Sequence, residues 1–92
     1  MTREDVKQLV EHHNRRIDTF ISNELPKLLA NDGIKVVTKD NGEHEIPINA
    51  WFKAQDYIKA MNFYKEAMSI LDIVRPLGFD VKINMQSNKL VF

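Results

Sequence analysis

Cysteine is absent from this chain of 92 residues, which removes disulfides, thiolate metal sites and cysteine nucleophiles from the range of functions. Glycine occurs three times, isolated at Gly33, Gly42 and Gly78, so no glycine-rich loop is present to cradle a phosphate. No stretch approaches the ~20 consecutive apolar residues of a membrane-spanning helix. The start, MTREDVKQLV, carries charge where a secretory leader carries an apolar run. Neither sign of charge dominates, since 13 basic side chains balance 13 acidic ones. Residues 1–30 are balanced, 31–49 lean slightly acidic and 50–92 slightly basic. Such a chain has no large field to hold nucleic acid non-specifically. These absences point to a cytoplasmic protein.

Catalytic and metal-binding patterns are equally sparse. Ser22, Ser69 and Ser87 stand in no glycine-flanked turn that would expose a nucleophile. Glu24 is the one acid on an apolar helical stripe, and Pro26 is placed to kink it outward. Two histidines on one helix face converge on an ion only at three- or four-residue spacing, whereas His12 and His13 diverge by about 100°. The reading is of a protein that is not an enzyme, with no cofactor and no metal.

What is present is a globular composition, 43% hydrophobic and 28% charged, with two kinds of periodicity. Val6, Leu9, Val10, His13, Ile17, Phe20, Ile21 and Leu28 recur at helical spacing. Thr2 and Asp5 form a capping-box pattern at the start of this helix. Pro26 cannot donate to Ser22 and predicts a break near 22–26. Gly33 then ends the helix in a left-handed conformation, folding Ile34 back on Leu29. The segment IKVVTKDNGEHEIPI reads as a hairpin. A three-residue loop with Gly42 in a bulge pairs Val37 with Glu45 and Val36 with Ile46, and extends to Ile34 with Ile48. A second helix is expected over 50–74, capped by Asn49 and ended before Pro76. Its apolar arc, widened by Phe52, Phe63 and Ile70, approaches half the circumference. The end, GFDVKINMQSNKLVF, alternates as a second hairpin that sets Met85 against Leu90 and Ile83 against Phe92. The order α-β-β-α-β-β predicts a single α+β domain over 1–92, a two-layer sandwich. Its four-stranded antiparallel sheet carries two helices on one face.

Two sets of residues stand out as contact candidates. On the second helix Trp51 and Ile58 lie seven residues apart on an otherwise polar side that also holds Lys65, with Ile73 near it. Large apolar side chains in a polar surround are the pattern of a binding hot spot. The leading expectation is a small interaction protein, adaptor or inhibitor, of a size common among bacterial and phage accessory proteins. It binds another protein or a second copy of itself through Trp51, Ile58, Lys65 and Ile73. The alternative is a nucleic-acid-binding protein using Lys7, His12, Arg15 and Arg16. Glu11, placed to pair with Arg15, weakens it. These basic residues belong to the densest polar run, EHHNRRID (11–18). There the periodicity buries His13 and sets His12 and Arg16 at the edge of the stripe. His13 is expected between Val10 and Ile17, hydrogen-bonded through a ring nitrogen, and a neutral imidazole buried there would cost stability in acid.

Overall fold

The computed structural model describes residues 1–92 as two compact units, Met1–Ile17 with Asn62–Phe92 and Asp18–Met61. Helix α1, Arg3–Thr19, is launched by the capping box. The backbone N–H of Asp5 donates to Thr2 Oγ1 at 3.2 Å, and that of Thr2 donates to the Asp5 carboxylate at 2.9 Å. Pro26 has the expected consequence in an unexpected form. The chain widens into a π-helical turn, Phe20–Glu24, in which Leu25 N–H donates to Phe20 O, and helix α2 follows over Leu25–Asn31. The wider i→i+5 spacing gives room where the proline ring crowds the preceding turn. A Schellman closure ends α2: Ile34 N–H donates to Leu29 O at 2.9 Å and Gly33 N–H to Ala30 O at 3.0 Å, with Gly33 at φ +79°.

The single four-stranded sheet does not form. Strands β1 (Val37–Thr38) and β2 (His44–Glu45) make one antiparallel hairpin, and β3 (Lys82–Ile83) and β4 (Leu90–Val91) make another, with no ladder joining them. The order α-β-β-α-β-β with two helices on one face of a sheet is therefore replaced by two hairpins among four shorter helices. The first hairpin has the expected register, Val37 opposite Glu45 and Thr38 opposite His44. It stops short of Ile34 and Ile48, because after Pro47 the chain turns into a 3-10 segment, Ile48–Ala50. Asn49 lies inside that turn, so it does not cap helix α3, which begins at Trp51.

The second hairpin is displaced by two residues from its expected register, with Ile83 opposite Leu90 and not Phe92. Asn84 is the cause: its side-chain oxygen accepts from the N–H groups of Gln86 and Ser87, winding a local turn that carries Met85 out of the strand. Asn88, at φ +61°, completes the turn.

The long second helix is also broken. Helix α3, Trp51–Ala60, ends at Met61, and α4, Phe63–Val74, starts after Asn62, whose φ of +56° is left-handed. Asparagine tolerates this conformation better than most residues, so neither proline nor glycine marks the break. The half-circumference apolar arc was its trace. Two separate helices carry two narrower faces: α3 buries Ala54, while α4 buries Phe63, Ala67, Ile70, Leu71 and Val74.

In the first unit Val6 and Val10 of α1 pack with Ala67, Ile70, Leu71 and Val74 of α4 and with Val81 and Leu90 of the second hairpin. A second glycine closure leads out of this α4 layer, with Phe79 N–H donating to Val74 O and Gly78 at φ +94°. In the other unit α2 packs on α3, and Phe20, Leu25, Leu29, Ala50 and Ala54 are buried. The Tyr57 hydroxyl donates to the Asp32 carboxylate, tying α3 to the end of α2. That hydrogen bond, with slight desolvation and the nearby negative charge, raises the Tyr57 pKa above the usual phenol range.

The capping box yields a test. Hydrogen bonds from the Thr2 backbone and side chain hold the Asp5 carboxyl below the ordinary 3.8, so its folded form favours the ionised state. A lowered folded pKa contributes stability above the unfolded value and loses it as pH falls through the folded one. Urea unfolding of wild type and Asp5→Asn should differ at pH 7, with wild type more stable, and the difference should shrink below about pH 4. An equal gap at both pH values would contradict the assignment.

Candidate functional site

The run EHHNRRID resolves into fastenings of the first unit. His13 is fully buried on α1. Its Nε2 donates to the carbonyl of Asn88 at 2.7 Å, and its Nδ1 lies 2.9 Å from Oε1 of Glu66 on α4. The periodicity places His13 in the core with a hydrogen bond through a ring nitrogen, and here an acceptor faces each of the two. Asn14 uses both ends of its amide on one residue: Nδ2 donates to Leu90 O and Oδ1 accepts from Leu90 N–H, each at 2.8 Å. Arg16 donates to the other Glu66 oxygen at 2.7 Å. Lys7, His12 and Arg15 are exposed on α1, and Arg15 does not pair with Glu11. Of the four residues of the nucleic-acid alternative, Arg16 is thus engaged within the fold. The three histidines are not brought together, and no group of three His, Asp or Glu side chains is arranged to hold a metal ion.

The second set is divided by the break at Asn62. Trp51 and Ile58 lie on α3, while Lys65 and Ile73 lie on α4 in the other compact unit. The stripe that a continuous helix would display is therefore not one helical face. Ile58 is half-buried, and Lys65 and Ile73 are exposed.

Around Trp51 the structure adds residues that the sequence pattern had placed in the core. Ile48 is 89% exposed, Phe52 86%, Val37 51% and Trp51 45%. Ile48 was expected in the hairpin ladder, and Phe52 on the buried arc of the long helix. Ile48 is turned out by the 3-10 segment after Pro47, and Phe52 lies about opposite Ala54, the buried residue of α3, once the break at Asn62 separates it from Phe63 and Ile70. The tripeptide Pro47-Ile48-Asn49 carried the available signal, because proline ends a strand and the residues after it are free to turn.

Trp51 is shared by two shallow clefts. One, of about 510 Å³, is lined by Val37, residues 44–48 and Trp51. The other, of about 450 Å³, is lined by Ile21, Ser22, residues 41–44, Ile46 and Trp51. Trp51 accordingly forms the common wall beside β2. A third and more polar cleft brings Ser22, Glu24 and His44 to one surface. Ser22 Oγ donates to Asp18 O at 2.6 Å, and His44 Nδ1 lies 2.9 Å from Thr38 Oγ1. Lys39 and Glu45 pair at 3.1 Å across the hairpin. No helix is long and apolar enough to cross a membrane.

The fastening role of Glu66 can be measured. Glu66→Leu leaves the buried Nδ1 of His13 without a partner, and should cost about 2 kcal/mol in chemical unfolding. Arg16→Met removes only a half-exposed ion pair and should cost less than about 1 kcal/mol. Equal losses would show that the buried imidazole does not depend on Glu66. Compared with protein-family models, curated proteins and solved structures, the chain finds no match.

Proposed function

We propose that this protein works by binding another protein, as an adaptor or inhibitor that acts by occupancy, through the apolar surface around Trp51. The observation that carries the reading is the clustering of Ile48, Trp51 and Phe52 within five residues, next to Val37, at exposures that leave much of each side chain in water. Burying one such side chain fully is worth roughly 1.5–3 kcal/mol. Scattered single apolar residues on a surface need no explanation, but Val37, Ile48 and Trp51 line one cleft together, with Phe52 next to Trp51 in the chain. An aromatic anchor between apolar neighbours is the arrangement in which a few residues carry most of a binding energy. Part of the charge nearby is engaged within the fold. Lys39 pairs with Glu45, and the Lys53 ammonium lies 5.6 Å from the centre of the Tyr57 ring. The surface thus offers contact area more than charge, which suits a protein partner better than a phosphate backbone.

Phe52→Asp is the cleanest variant, because its side chain contributes little to the fold. Tagged full-length protein should capture a partner from a lysate of its native host. Phe52→Asp and Trp51→Ala should reduce that capture by at least about tenfold, the scale of a hot-spot aromatic, with unchanged circular dichroism. Lys65→Ala and Ile73→Asp on α4 should retain it. Sedimentation would reveal a second copy of the chain as the partner. Capture unaffected by Phe52→Asp, or neither capture nor self-association, would overturn the proposal.

A further inference from the structure

The two hairpins treat their edges differently. On β4 the outward N–H and C=O of Leu90 are both taken by the amide of Asn14. Beside β3, the Val81 carbonyl accepts from Arg75 Nε at 3.2 Å. The first hairpin has no such cover. Lys39 N–H donates to Glu43 O at 2.7 Å, and Val37 stands opposite Glu45. In this register the bonds within the hairpin fall to residues 37 and 39 of the first arm. The backbone groups of Val36 and Thr38 therefore point away from β2, and no other group of the chain bonds to them. The outer side of β2, by contrast, is flanked by Trp51, which lines the clefts on either face.

We infer that the edge of β1 receives an extended segment of the partner protein, apolar at its centre and flanked by acidic residues, which adds as a third strand beside Val36 and Thr38. This rests on the reading of the Trp51 surface as a binding site and specifies what its partner presents. A row of outward N–H and C=O groups selects an extended backbone. The side chains select its composition. The arm reads Lys35-Val36-Val37-Thr38-Lys39, with Lys35, Val37 and Lys39 on one face. A second copy paired antiparallel about Val37 would set Lys35 opposite Lys39, and like charges directly opposite oppose that pairing. Acidic residues at the same two positions meet both lysines favourably. Lys39 holds Glu45 at 3.1 Å, but both side chains are well exposed, and such a pair is weak enough to exchange. Val37 between the lysines lines the cleft that ends at Trp51, so an apolar side chain beside it extends the apolar surface.

The test uses full-length protein labelled with nitrogen-15 and the synthetic peptide acetyl-Gly-Glu-Thr-Val-Thr-Glu-Gly-amide, whose valine lies opposite Val37 when its glutamates face Lys35 and Lys39. The amide resonances of Val36 and Thr38 should shift and saturate. The same peptide with lysine in place of glutamate should bind at least tenfold more weakly, and a Lys35→Glu/Lys39→Glu variant should reverse that preference. Thr38→Pro removes an outward donor together with the Thr38 Oγ1–His44 bond and should abolish the shifts, whereas Thr38→Val, which loses only that bond, should retain them. Shifts that fail to saturate, that map elsewhere, or that are equal for the two peptides overturn the inference, as does sedimentation showing self-association lost on Thr38→Pro. Should Phe52→Asp abolish partner capture while Thr38→Pro retains it, the added strand is refuted and the Trp51 surface stands.

Discussion

A hairpin of two residue pairs does not hold itself together in water, and the first unit depends on how this chain solves that problem. Helix α1 supplies the missing support. Its Asn14 amide meets the outward N–H and C=O of Leu90 as a neighbouring strand would, and one turn of the same helix brings His13 Nε2 to the carbonyl of Asn88. Once these groups are fixed, the apolar residues follow. Val6 and Val10 lie against Val81 and Leu90, and α4 closes the layer with Leu71 and Val74. Glu66 is the second link, because the imidazole that reaches the hairpin turn has another nitrogen to satisfy, and a buried polar atom without a partner is costly. One carboxylate from α4 meets that need and holds Arg16 with its other oxygen.

The hairpin of the other unit is built from local devices alone. Asn41 Oδ1 accepts from Glu43 N–H at 3.0 Å, Gly42 takes the positive φ of the loop, and Thr38 bonds His44 across the strands. Each works within a few residues, so none covers an edge or a face. The turn after Pro47 has the same character. It sets the start of α3 by backbone bonds, with Ala50 N–H donating to Pro47 O, and leaves Ile48 in water. Apolar exposure here results from how the chain turns, and its place beside Trp51 is what the proposed contact surface rests on.

The features legible in the sequence are those decided within four or five residues. The capping box of Thr2 and Asp5, the glycine closure at Gly33 and the register set by Gly42 all appear as their chemistry dictates. The break at Pro26 was legible in position, though its π-helical form was not. Illegible were the outcomes decided by asparagine. Asn62 ends α3 with a left-handed turn that other residues rarely adopt, and Asn84 winds a turn that outcompetes two further ladder pairs. Asn14 spends its amide on a residue far along the chain. Asparagine can be a cap, a turn or a strand mimic, and only tertiary partners choose among these. The expected four-stranded sheet is replaced by hairpins that each end after two pairs, the first at the turn after Pro47 and the second at the turn wound by Asn84. Of the contact candidates, Trp51 was legible from its polar surround, whereas Ile48 was hidden by an assumed ladder and Phe52 by an assumed continuous helix.

The dense polar run on α1 and the apolar end of α3 thus exchange the meanings that composition suggests. Charged and hydrogen-bonding side chains side by side look like chemistry, yet His13, Asn14 and Arg16 all have partners within the first unit. Their partners lie 50 or more residues away in sequence, so no local pattern could distinguish a fastening from a site. Apolar residues look like core, yet Ile48 and Phe52 have none of the burial that periodicity assigned to them. A polar side chain that finds its partners inside the fold is spent on stability. An apolar side chain that finds none is the one left to be satisfied by another molecule.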